Sequence, residues 1–553
     1  MTRTPRGRTS PAATARSDGR CSPTSPSISD DVSRRIARWV SIACLALAGQ
    51  AAGTERVDPA GLAALVDDAV ARYDLPGVAV GVVVDGEVVL RHARGELRAG
   101  QGEPIDADTL FKIASNSKAM TAAVLARQVD AGLLRWDDPV VRHLPGFRMA
   151  DDWVTREMQV RDLLIHNSGL GPGAGDLMLW PSPNRFTRAQ VIEGLRHLQP
   201  RWSFRSRYAY DNSLYIVAGE VAAAVAGVPF DALVRREVFA PLGMTRCQAG
   251  SWQRDAVGNV AQPHARIDGR HVVVRADEAT IPDEPMMAAG GLRCSLDDML
   301  RWAQVWLEPD ASQGSAPWLS RTQRDAMWTA HMPMPLTARM REWDRSHFSA
   351  YGYGWRLTDV DGTAKVSHTG TLKGMYSALT LLPERGVGIV VLINGDADEA
   401  RTVLMQALVK QFTASNGVHD VSHYASLLAS ERAVQGDPTP LLRGRSSAPT
   451  PRRLAHVLGR WRDPWFGDVT ICRQGEATVF ASERSPKLHG DVVAVGERLQ
   501  VRWREADVDV DAWLLPSRRH GDAPTLHMAK VDPDADFSYD FEDLAFVHAG
   551  DCR

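Results

Sequence analysis

The sequence predicts an α/β (α+β) fold: an antiparallel sheet flanked by helices, with a helical subdomain on one side and a small C-terminal antiparallel β-barrel after it. Three observations predict this. Strand-like segments at 77–84 and 87–94, joined by an Asp85-Gly86 turn, stand near the start of the body. Others return only after a long helical interval, at 353–358, 364–368, 376–382 and 387–394. Strands from both ends of a chain, with helices between, pair most simply into one sheet. Beyond residue 453 the pattern changes to short alternating segments, at 468–472, 477–482, 492–495, 499–503, 508–515, 526–531 and 544–547, as in an up-and-down barrel or sandwich.

The remaining elements follow in order. Leu62, Leu65, Val66, Ala69 and Val70 recur at helical spacing over residues 62–73. Segments 162–166, 187–198, 212–226, 231–239, 295–307 and 321–331 read as helices, and a further helix at 398–412 follows the last strand of the sheet. A helical stretch at 419–432 precedes residues 435–453, whose Pro, Arg and Ser content reads as a linker. The expected organisation is a disordered leader and signal over 1–52, a main body over 53–415, a helical segment and linker over 416–452, and the barrel over 453–553. A cleft between the sheet and the helical insert is the expected site.

At 553 residues the chain is too long for one ordinary core. Its net charge of -3 argues neither for a nucleic-acid partner nor for an acidic surface, and no nucleic-acid partner is expected. Residues 1–30 offer almost no large apolar side chain to bury and should be disordered. Arg34, Arg35 and Arg38 then precede an apolar run at 39–48 and a small-residue stretch at 48–53, the order of a secretory signal displaced from Met1. The run is too short to span a bilayer, and its other reading is a short buried helix. The signal reading places the mature chain in the periplasm or outside the cell, without stable membrane insertion. Of six cysteines, Cys21 and Cys44 fall in the leader, while Cys247, Cys294, Cys472 and Cys552 show no C-x-x-C spacing, so a metal site has no support. Export permits a disulfide, with Cys247 and Cys294 the foremost pair.

Three short motifs carry chemistry. In residues 109–134, Met120, Val124, Leu125, Val129 and Leu133 recur at helical spacing and Gly132 closes the pattern, so a helix should start at about Ser115. Backbone N–H groups at a helix N-terminus favour a developing negative charge there. Lys118 lies one turn on, over the same face. A serine hydroxyl is a weak nucleophile, and a neutral amine beside it could take its proton if burial lowered the lysine pKa from about 10.4. The motif alone is weak, because a chain with seven lysines produces roughly 0.4 accidental S-x-x-K matches; an N-cap serine beside a solvated lysine is the plain alternative. Tyr210 stands on a loop before a helix, where its phenol could shuttle a proton if cations held its pKa down, and Asn212 could bind a substrate amide while capping that helix. His368-Thr369-Gly370-Thr371 ends a strand, where Gly370 would let a substrate approach and the Thr371 N–H, with that of Ser115, could form an oxyanion hole.

The set Ser115-x-x-Lys118, Tyr210-x-Asn212 and His368-Thr-Gly370, in that order, resembles the serine β-lactamase and penicillin-binding-protein family, in its class C-like branch. The stretches at 163–170, 241–244, 288–292 and 351–355 also look like landmarks of that family, and the resemblance spans about 57–412. It implies a β-lactamase/transpeptidase-like fold and a serine hydrolase with Ser115 as acylated nucleophile, Lys118 as its base or base partner and Tyr210 as proton relay. Asn212 would contact the substrate amide, His368 and Thr369 would line the strand side of the cleft, and the Ser115 and Thr371 N–H groups would hold the oxyanion. The barrel looks like the lipocalin-like appendage of some members. One departure matters. Members usually carry lysine where this chain has His368, and a mostly neutral imidazole grips a substrate carboxylate less firmly. The implied substrate is thus a β-lactam or D-amino-acid peptide by default, with an ester or D-aminopeptidase substrate, or a binding protein without turnover, as alternatives. No G-x-S-x-G elbow and no H-E-x-x-H helix support a different hydrolase, and no cofactor is implied.

Overall fold

The computed structural model describes residues 58–308, 317–417, 419–435, 446–517 and 524–552. The expected leader and signal, and the middle of the expected linker, lie outside the described residues. The residues from Asp58 onward form one compact unit. Its first element is helix α1, Pro59–Tyr73, started by the Asp58 carboxylate accepting the Ala60 N–H. Strands β1, Gly77–Val84, and β2, Glu87–Gly95, form the expected hairpin. Near the other end of the body come β3, Met332–Pro333; β4, Ser349–Tyr351; β5, Arg356–Val360; β6, Thr363–Leu372; β7, Met375–Leu382; and β8, Val387–Ile393.

These eight strands make one sheet in the order β2-β1-β8-β7-β6-β5-β4-β3, antiparallel throughout. The early hairpin joins the late meander through β1 and β8, with Val80 opposite Val391. Both strands are nearly pure Val, Ile, Leu, Ala and Gly because both faces of the sheet are covered. Helix α2, Ser117–Asp130, lies in the helical part with α3, Ser213–Ala226; α4, Leu296–Leu307, packs on β1 and β8; and α5, Asp398–Thr413, packs on α1, β7 and β8. Helix α6, Val421–Gln435, docks on α5. Among the described residues no single helix is long and apolar enough to cross a membrane.

The second sheet is the expected barrel. Its strands are β9, Gly459–Asp463; β10, Gly467–Gln474; β11, Ala477–Ser482; β12, His489–Val495; β13, Arg498–Trp503; β14, Ala512–Ser517; β15, Thr525–Lys530; and β16, Ala545–Gly550. Each pairs with the next and β16 returns to β9, so eight strands close up-and-down with no free edge. Trp461, Phe466, Phe480 and Phe546 fill the interior, each nearly inaccessible.

Four local expectations are corrected. Ser115 sits in a single 3-10 turn, Ala114–Asn116, that leads into α2, since Ala114 takes a positive φ of 47° that no α-helix continues through. Segment 162–166 is not an α-helix: it holds the end of a 3-10 turn, Val160–Leu163, followed by a plain turn in which His166 lies at φ 60°. Asn212 precedes α3 without capping it; the Asp211 carboxylate accepts the Leu214 N–H instead. Strand β9 is absent from the expected set, because Gly-Arg-Trp-Arg-Asp holds one large apolar residue, yet the single tryptophan suffices on a strand whose other face is wet.

Two disulfides are present, Cys247–Cys294, the expected pair, and Cys472–Cys552, which ties β10 to the chain end across a sequence separation of 80. Closing so long a loop restricts the unfolded chain. Cys472→Ala with Cys552→Ala should lower barrel stability by about 2–4 kcal/mol, read as an earlier denaturation midpoint of tryptophan fluorescence.

Candidate active site

The turn that carries Ser115 is held by the sheet. Pairing of β6 with β5 stops at Arg356 opposite Ser367, so residues 368–372 present that edge to the Ser115 turn. The approach is close: a Cβ on Gly370 would lie 2.3 Å from the Ile113 carbonyl oxygen and 2.9 Å from the Ala114 Cβ. Only glycine fits there, which is the physical content of the third motif. Asn116 donates to Ser377 Oγ (2.8 Å), and Ser377 Oγ donates to the Ile113 carbonyl (2.7 Å), pinning the turn to β7.

Lys118 is fully buried at the start of α2. Its Nζ stands 3.2 Å from Ser115 Oγ, 2.7 Å from Asn212 Oδ1 and 2.8 Å from the Ala289 carbonyl oxygen. Burial pulls the ammonium pKa down to about 7; Asp176 and Asp211 oppose that fall and Arg356 adds to it. The partner set then decides the proton arrangement. Asn212 Oδ1 and the Ala289 carbonyl can only accept, so a neutral amine spends its two N–H groups on them and its lone pair faces the Ser115 hydroxyl. That is the arrangement a general base requires. The Asn212 amide is oriented from its other end, where Nδ2 donates to Asp176 Oδ2 at 2.7 Å. Its side chain thus bridges Lys118 and Asp176 and also lines the cleft.

Tyr210 shares a hydrogen bond with Ser115, and its ring centroid lies 4.8 Å from Lys118 Nζ. The expectation that cations hold its pKa down is not met: burial dominates, and although Arg356 and the Ser115 hydrogen bond lower the value, the net shift is upward. Tyr210 is therefore a neutral phenol. His166 positions it, its Nδ1 accepting the Asp211 N–H at 3.0 Å and its ring packed at a tilt 4.3 Å from that of Tyr210.

The sequence places His368 on the cleft wall; the structure does not. The ring is fully buried, Nδ1 donates to the Thr369 carbonyl (2.7 Å), and Nε2 accepts from the Tyr351 hydroxyl (2.9 Å). Burial, with the nearby Arg356 and Lys118, holds its pKa well below the usual imidazole value, so it is neutral. Successive side chains on a strand face opposite ways, and Thr369 and Thr371 take the cleft face.

The cation that the third motif lacks comes from another strand. Arg356, at the start of β5, lines the same cleft and donates from Nη1 to Thr369 Oγ1 at 2.8 Å. Among the described residues its Nε has no hydrogen-bond partner and no carboxylate lies within ion-pairing distance of the guanidinium. Nε is itself buried, so what the cleft is offered is the charge, and a cation with no carboxylate partner beside the nucleophile suits an anionic group. Sequence reasoning missed it; its register opposite Ser367, beside the motif, was the available signal. The cavity joining these groups has a volume of ≈ 610 Å³ and is walled by Ser115, Tyr210, Asn212, Arg356, Thr369 and Thr371 among others. No group of three or more metal-ligating side chains occurs among the described residues.

A serine at a turn, a buried lysine 3.2 Å from it and a phenol beside both fit a serine hydrolase. The chain belongs to the Beta-lactamase family, whose model matches residues 62–412. It is 29% identical over 327 residues to "Penicillin-binding protein 4" of Amycolatopsis lactamdurans, covering 58% of this chain and 82% of that one. It is 24% identical over 325 residues to the "D-alanyl-D-alanine-carboxypeptidase/endopeptidase AmpH" of Escherichia coli (strain K12), covering 57% and 78%. The octameric penicillin-binding protein homologue from Pyrococcus abyssi shares the fold, with a TM-score of 0.54 and 19% identity over 89% of this chain and 100% of that one.

Proposed function

We propose that this chain is an exported serine hydrolase that opens an amide or ester whose leaving part carries a carboxylate, as a β-lactam or a D-amino-acid peptide does. Ser115 Oγ attacks the carbonyl carbon as its proton moves to the Lys118 lone pair, and the Ser115 and Thr371 N–H groups take the charge that develops on the carbonyl oxygen. Collapse breaks the bond to the leaving nitrogen or oxygen, which receives a proton through Tyr210, and water then releases the acyl group from Ser115 by the reverse path.

The observation that carries the reading is the three-way seat of Lys118 between Ser115, Asn212 and Ala289. The substrate class rests on Arg356, a cation on the cleft wall beside Thr369 with no carboxylate partner among the described residues, and accords with the names of the two relatives above. Two disulfides support export, to the periplasm or medium, since such bonds persist in oxidising compartments. A labelled penicillin and a fluorophosphonate should each mark a single residue, and Ser115→Ala should abolish both, as intact-protein mass spectrometry would show. Labelling that survives the substitution overturns the assignment.

A further inference from the structure

Two loops of the barrel stand over the cleft. Residues 531–544, between β15 and β16, give the cavity Ala535, Phe537 and Tyr539, and residues 504–511, between β13 and β14, give it Asp509 and Val510. Each is fastened to a different wall. The buried Asp540 carboxylate accepts the Gly175 N–H at 2.6 Å and the Leu177 N–H at 3.0 Å on the helical side. Arg201 pairs with Asp543 at 2.9 Å beside it. On the other side, Asp509 pairs with Lys373 in the turn between β6 and β7 at 3.0 Å, and Asp507 pairs with Arg275 at 2.6 Å. The Phe537 ring packs edge-on 5.6 Å from that of Tyr210, and its carbonyl sits so close to Gly173 that a Cβ there would come within 2.5 Å of it. Phe537 nonetheless stays 39% exposed, toward the cavity.

The direction of the substrate follows from the other groups. Arg356 and Tyr210 serve the leaving part, so the acyl part runs the opposite way along the open edge of β6, from Thr371 toward Leu372. The Asp509–Lys373 pair stands at that end. From Thr371 to Lys373 is two residues, about 7 Å of extended chain. The faces bordering this stretch include Leu372, Tyr376, Val510 and Phe537.

We propose that the barrel supplies the acyl-side wall of the substrate site, with Phe537 and the Asp509–Lys373 pair limiting the acyl group to about two residues of extended length and favouring an apolar one. The barrel is then a selectivity element that turns away long peptide strands. This rests on the reading that Ser115 is acylated, so the test begins with a fluorophosphonate on the full chain. A single adduct at Ser115 supports that reading, and no adduct overturns it together with this inference. Next, two thiolesters with the same mercaptoacetate leaving group are compared, one bearing a phenylacetyl group and one a tetrapeptidyl group. The native chain should favour the short one more than tenfold in kcat/KM. Phe537→Ala, and separately replacement of residues 533–538 by Gly-Ser of equal length, should bring that ratio to within about threefold, and Phe537→Trp should raise it. A native ratio near one, or a ratio that neither loop change moves, overturns the inference.

Discussion

Lys118→Arg lowers the acylation rate of Ser115 by about 10³-fold, and raising the pH does not restore it. The substitution separates two roles that lysine could play. If Lys118 acted as a fixed cation, a guanidinium would replace it, since it carries the charge and has donors for Asn212 Oδ1 and the Ala289 carbonyl. As a base it has to reach the neutral form, which a guanidinium does not do in a protein. A positioned base contributes about 10²–10⁴ in rate, and its loss from a coupled nucleophile falls toward the upper end.

The same chemistry fixes a pH profile. Burial brings Lys118 to about 7, so below that pH the ammonium has no lone pair for the serine proton, and the acylation rate falls about tenfold per unit. Asp211, whose carboxyl burial also raises to about 7, titrates in the same range and favours the lysine cation while ionised. Asp211→Asn therefore moves the rising limb to lower pH, because removing that negative charge lets the lysine pKa fall further. The check is the second-order rate of labelling by a penicillin between pH 5 and 9. A limb in the native chain that Lys118→Arg retains would rule out Lys118 as the base.

Much of this site is legible in the sequence because its chemistry rides on local spacing. Ser115 and Lys118 are three residues apart, Tyr210 and Asn212 immediately precede α3, and Gly370 marks a strand that crosses the nucleophile turn too closely for a side chain. The sheet is legible for a similar reason, since β1 and β8 are apolar on both faces and could pair only inside a covered sheet. What fails to show depends on partners distant along the chain. The Asp176 carboxylate that orients Asn212 sits in a segment whose residue types carry no signature, and the 288–292 landmark does not reveal that its Ala289 carbonyl takes an N–H of Lys118. The Tyr210 environment escapes sequence reasoning because burial, which depends on the whole fold, outweighs the nearby cations. The motif puts His368 on the wrong face, although strand alternation with Thr369 and Thr371 already argues for the core side.

Arg356→Ala lowers kcat/KM about 10²-fold for a substrate whose leaving part bears a carboxylate, measured relative to the same substrate with that carboxylate masked as an amide. Hydrogen bonds to a charged partner are worth about 1.5–3 kcal/mol, and 1.4 kcal/mol is a factor of ten. The guanidinium is suited to the task because Nη1 is already fixed on Thr369 Oγ1 at the cleft wall, so little ordering of the side chain remains to be done on binding. Arg356→Lys should recover about tenfold of the loss at most, since an ammonium keeps the charge but not the planar fork. His368→Gln provides the contrast. Its side chain touches Tyr351 and the Thr369 carbonyl, so the change should alter stability and leave the carboxylate-to-amide ratio close to the native value. A substrate carboxylate held by His368 would reverse that pattern, with the ratio collapsing in His368→Gln and surviving in Arg356→Ala. The neutral imidazole, with both nitrogens occupied inside the core, has neither charge nor a free donor to offer a carboxylate, which leaves Arg356 as its partner.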